Sequence, residues 1–65
     1  MKIIREIMEK YGISMREVAR RLDYNHSYVS RVLSGDEPMS YRLAYRISNA
    51  FEIDLDYIVQ LEGLE

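Results

Sequence analysis

Apolar residues recur along this chain at helical spacing, in five groups separated by polar punctuation. Ile4, Ile7, Met8 and Tyr11 follow the i, i+3, i+4, i+7 rhythm that lines one face of a helix. Gly12 comes next and can take the left-handed conformation that closes a helix. Ser14-Met15-Arg16-Glu17 then reads as a capping box, with the serine hydroxyl on the Glu17 amide and the Glu17 carboxylate on the Ser14 amide. The helix it opens carries Met15, Val18, Ala19 and Leu22 on one side and ends near Asp23.

Asn25 is a good cap for a third helix, with Val29, Val32 and Leu33 as its apolar side and Ser34-Gly35 as its stop. Gly35-Asp36-Glu37-Pro38 has the chemistry of a loop. Ser40 can cap a fourth helix that buries Leu43, Ala44, Ile47, Ala50 and Phe51. Asp54 can cap a fifth, with Leu55, Ile58 and Val59 inward. No strand-like alternation competes, so the expected fold is all-α, five helices with short connections.

The join between the second and third helices is the most informative. Only Asp23, Tyr24 and the capping Asn25 separate them, too few residues for an antiparallel hairpin of helices. The two must cross steeply, and Ala19 has the small side chain that lets them approach. That is the helix-turn-helix layout, whose second helix docks in the major groove of DNA.

With 65 residues the chain is expected to form one domain, spanning 1–65. Its core supplies no more than about 3–5 kcal/mol of net stability. There is no cysteine, hence no disulfide and no thiolate metal site. A lone His26 with no spaced carboxylate partner makes no metal site either. No apolar stretch approaches the length of a membrane span, and Met1–Glu6 mixes charges among its isoleucines, unlike a secretion signal. A soluble cytoplasmic protein is the expectation. Catalysis finds no support: there is no glycine-rich phosphate loop, no nucleophile elbow and no histidine paired with a serine. No cofactor is implied.

The net charge of −2 does not point to nucleic acid, but its distribution is uneven. Residues 1–13 and 14–36 each sum to +1, whereas residues 37–65 sum to −4. A basic patch can persist in the first half.

Ser14–Leu22, then Asn25–Gly35, then Pro38 and the Ala44–Phe51 helix together resemble the Cro/repressor-type (XRE) helix-turn-helix family. The likeness covers roughly residues 3 to 60, and its strength lies in the joint spacing of the capping serine, Ala19, Val29, Ser30-Arg31 and Gly35. The resemblance implies a compact five-helix, lambda-repressor-like DNA-binding domain and a transcriptional regulator of bacterial or phage type, a repressor or Cro-like protein. Such a protein would be nucleoid-associated, binding double-stranded DNA at a palindromic operator as a homodimer. Two positions depart from the family. Met15 stands where relatives frequently have a phosphate-contacting glutamine, and Asp23 stands where the turn often has glycine. Aspartate tolerates the left-handed conformation required there.

By the resemblance, His26 and Ser27 begin the recognition helix, where relatives read bases. Ser27, Ser30 and Arg31 lie on the outward face, with Tyr28 and His26 at its borders. Hydroxyls, an imidazole, a phenol and a guanidinium can hydrogen-bond base edges and phosphates. Arg31 can read a guanine or clamp a phosphate; its alternative is an ion pair with Asp36 or Glu37. Arg16 can touch phosphate in place of the missing glutamine, or belong with Arg20 and Arg21 to a solvated face. Tyr57, Leu61 and Leu64 form an i, i+4, i+7 ridge that reads as a dimer contact, with edge packing of a helix end as its alternative. Tyr41 and Tyr45, one turn apart off the buried stripe, are a further candidate interface. The rival function keeps the fold as a protein-binding module for a polymerase, a toxin or another repressor.

Overall fold

A computed structural model describes residues 2–64; Met1 and Glu65, the ends of the expected domain, lie outside the described residues. The described residues form five helices and no strand: α1 (Ile3–Tyr11), α2 (Met15–Leu22), α3 (His26–Ser34), α4 (Tyr41–Phe51) and α5 (Leu55–Glu62). Local chemistry sets most boundaries. The Ser14 hydroxyl accepts the Glu17 amide, Asn25 Oδ1 the Ser27 amide, Ser40 the Leu43 amide and Asp54 Oδ1 the Asp56 amide. Each bond satisfies a helix-end N–H that has no carbonyl partner.

Only half of the expected capping box forms. The Glu17 carboxylate does not return to Ser14; it accepts hydrogen bonds from Arg20 and Arg21 instead. A guanidinium is the better partner, because charge-assisted bonds are roughly twice as strong as neutral ones. Asp23 closes α2 at φ 60° and ψ 40°, the left-handed turn that the family usually gives to glycine. Glu52 takes the same conformation after α4, at φ 54°.

The core is one cluster drawn from all five helices: Ile3, Ile4 and Ile7 of α1, Val18, Ala19 and Leu22 of α2, Val29 and Val32 of α3, Leu43, Ala44, Ile47 and Phe51 of α4, and Ile58 of α5, joined by Met39. Ile3 and Met39 extend it beyond the expected stripes. Met8, Met15, Leu33, Leu55 and Val59 sit half-buried at its rim. Ala50, expected inside, is exposed. It borders an open cleft with Lys10, Arg21 and Glu52, whose charged heads keep water on that side of α4.

α2 packs on α1, α3 and α4, and α5 packs on α1 and α4. Ala19, 1% exposed, is buried in α2, the helix that packs on α3, and its carbonyl accepts the Tyr24 amide at 3.0 Å. Ala19→Leu therefore adds volume where none is free, at a cost of about 1–3 kcal/mol. Urea unfolding followed by circular dichroism checks this; an unchanged midpoint would show a looser crossing.

The chain ends are tied by a bond that no local pattern announces. Lys2, which precedes α1, offers no side-chain cap. The Glu62 carboxylate at the end of α5 accepts the amides of Lys2 and Ile3 at 3.0 and 2.7 Å and caps α1 from across the molecule.

Candidate nucleic-acid interface

α3 divides into two faces. Val29 and Val32 are fully buried against the rest of the core, whereas His26, Ser27, Ser30 and Arg31 are exposed. No acidic residue lies within the helix. The sequence pattern places Ser27, Ser30 and Arg31 together with His26 at the border, and the structure exposes all four. Asn25 holds the first turn by accepting the Ser27 amide at 2.7 Å, which leaves the side chains of His26 and Ser27 at the tip of the helix.

Tyr28 is more constrained than its neighbours. It is half-buried, with its ring 5.5 Å from that of Tyr24 and inclined at 55°. Tyr24 in turn lies under the guanidinium of Arg46, with Cζ 5.3 Å from the ring centre. Arg46 Nη1 donates to the Leu22 carbonyl at 2.6 Å, a free acceptor at the end of α2. A stack thus runs from α4 through the turn to α3. Cation–π contacts of this kind contribute about 0.5–1 kcal/mol each where exposed. Sequence reading missed Arg46 and the part played by Tyr24. The i, i+4 pairing of Tyr24 with Tyr28 was a weak local hint, but nothing near Arg46 in the chain marks it.

Arg31 also lies against this stack, with Cζ 5.9 Å from the centre of the Tyr28 ring. Its Nε donates to Glu37 Oε1 at 2.9 Å, so Glu37 rather than Asp36 is its acidic partner. Both side chains remain about half exposed, at 51% and 41%. An exposed pair is worth at most about 1 kcal/mol, so it does not prevent Arg31 from reaching another ligand.

Residues 4–58 match the family model for helix-turn-helix proteins. The chain belongs to the Cro/repressor-type (XRE) helix-turn-helix family. No curated protein and no solved structure matches it.

As a member of this DNA-binding regulatory family, the helix-turn-helix protein offers a second charged element at the start of α2. Arg16 is exposed in its first turn. Nearby, the hydrogen bonds from Arg20 and then Arg21 hold the Glu17 carboxyl down at about 2. Glu17 is therefore charged at every physiological pH, and its charge is met by two guanidiniums rather than left to oppose an anion. The same bond raises Arg20 above its ordinary value.

The C-terminal ridge is split between inside and outside. Leu61 and Leu64 are half-buried against the helix-turn-helix protein's own core, whereas Tyr57 is 46% exposed. The Tyr57 hydroxyl donates to Glu6 at 2.9 Å, and that bond, with partial burial and the carboxylate charge, raises its pKa. Tyr41 and Tyr45 are more open still, at 52% and 57%. Among the described residues no group of His, Cys, Asp and Glu could hold a metal ion, and no helix is long and apolar enough to cross a membrane.

Proposed function

We propose that this protein is a sequence-specific transcriptional regulator of bacterial or phage type, a repressor or Cro-like protein acting in the cytoplasm at the nucleoid. In this reading α3 enters the major groove of a palindromic operator, and the protein has no enzymatic activity. The observation that carries it is the outward face of α3, where His26, Ser27, Ser30 and Arg31 are exposed with no carboxylate in the helix. A helix face needing only solubility usually carries Glu and Lys; this one carries groups that bond base edges. Arg16 and the first amides of α2 would lie on the phosphates. Selection from random DNA tests the reading, with a recovered consensus as the expected result and no enrichment as the overturning one.

The described residues span 26 × 24 × 18 Å, less than the roughly 34 Å that separates half-sites one helical turn apart. One recognition helix reads only a few base pairs, so tight specific binding calls for a second copy. The ridge of Tyr57, Leu61 and Leu64 is the proposed two-fold contact, since such an interface uses one patch twice. Tyr57 is the position to alter, because Leu61 and Leu64 also serve the core. Tyr57→Lys can still pair with Glu6 while placing like charges across the two-fold axis. The variant is expected to stay folded, to bind a half-site weakly and to lose cooperative binding of the palindrome. Undiminished binding of the palindrome would move the contact to Tyr41 and Tyr45.

Those two open tyrosines favour a second reading, a protein-binding module for a polymerase, a toxin or another repressor. It predicts that Tyr41→Ala and Tyr45→Ala abolish the partner's binding while α3 variants do not.

A further inference from the structure

We propose that Glu37 is a positioning residue for Arg31, holding Nε so that the two terminal amines are left to engage a guanine end-on. The inference rests on the DNA-binding reading above and assigns a role to a loop residue outside the recognition helix. Arg31 occupies the last turn of α3, and Glu37 lies beyond the helix stop in the loop that follows. Two bonds tie the residues together. Arg31 Nε donates to Glu37 Oε1 at 2.9 Å, and the Glu37 amide donates to the Arg31 carbonyl at 3.2 Å. The main-chain bond fixes where the carboxylate starts, and the side-chain bond fixes where the guanidinium ends. The Tyr28 ring, 5.9 Å from Cζ, limits it on a second side.

The atoms used decide the consequence. A guanidinium has five N–H donors, one on Nε and four on the two Nη atoms. Among the described residues, Glu37 takes the Nε donor and no acceptor bonds either Nη. Guanine O6 and N7 accept two roughly parallel donors. An unheld arginine can offer either the Nε–Nη edge or the Nη–Nη fork; with Nε occupied, only the fork remains. An arginine already held also loses less rotamer freedom on binding, which favours the base that matches its fixed direction. The same carboxylate repels phosphates, so it disfavours binding wherever the guanine contact is not made.

The test measures guanine-over-adenine preference at the base pair whose preference disappears in Arg31→Ala. It uses the full chain and DNA sites selected from random sequence. Glu37→Ala is expected to lose about tenfold in that preference while binding random DNA more tightly. Glu37→Gln keeps an oxygen that can accept from Nε, and it is expected to retain most of the preference. In an Arg31→Ala background, Glu37→Ala should leave the remaining base preferences unchanged, and neither Glu37 variant should move the melting midpoint. Equal tightening on every sequence with the guanine preference intact would overturn the inference and make Glu37 a simple charge mask. Loss of the remaining base preferences from Glu37→Ala in the Arg31→Ala background, or a shifted midpoint with intact preference, would overturn it too. Absence of any base preference in the unaltered protein removes the DNA-binding reading itself, whereas a preference that survives Glu37→Ala removes this inference alone.

Discussion

Leu22→Ala is expected to leave a large share of the molecules unfolded at 25 °C. Leu22 is 1% exposed and sits in the core at the end of α2, the helix that contacts α1, α3 and α4. Truncating a buried leucine removes its transfer free energy and leaves a cavity, at a combined cost of about 2–5 kcal/mol. A core of this size supplies net stability of about 3–5 kcal/mol, so the loss is of the same order as the whole. The neighbouring geometry cannot easily collapse to fill the space. The Leu22 carbonyl is held by Arg46, and Asp23 follows in a fixed left-handed turn. Urea titration by circular dichroism checks the effect; a loss below about 1 kcal/mol would show that this corner of the core relaxes freely. DNA binding should fall only with the folded fraction, equally on every sequence.

Arg31→Ala should do the opposite, sparing the fold and weakening the complex. Losing one good base or charged contact costs about 1–3 kcal/mol per recognition helix, and the proposed two-fold complex would contain it twice, so about 2–6 kcal/mol in all. The thermal midpoint should scarcely move, because the partners lost are the exposed carboxylate of Glu37 and a cation–π contact with the Tyr28 ring, each worth about 1 kcal/mol or less where exposed. Substitutions at His26 and Ser27 should change which bases are preferred more than they change overall affinity. Titration of a selected operator checks all three positions. Unchanged binding in every one of these variants would refute the assignment of α3 as the reading helix.

The residues legible without a structure are those whose partners lie within one turn. Ser14, Asn25, Ser40 and Asp54 each cap an amide two or three residues onward, so the start of four helices is written locally. Gly12, Asp23 and Gly35 close helices through their own backbone preference, and the outward face of α3 follows from helical periodicity alone. Periodicity fails where the surroundings vote. Ala50 has the spacing of a core residue but faces the water beside Lys10, Arg21 and Glu52, while Met39, between elements, is buried.

Competition between partners is also decided by geometry. Glu17 had both the Ser14 amide and two arginines within reach, and the charged donors won. Sequence alone determined the five helices and the face of α3. Tertiary structure decided that Glu62 caps α1, that Arg46 holds the end of α2 and that Glu37, not Asp36, holds Arg31. The physical reason is separation: the first two bonds join residues 60 and 24 apart, and such contacts exist only once the core has set the helix directions. Glu37 is closer along the chain, but the loop's path past Gly35 chooses which carboxylate meets the guanidinium.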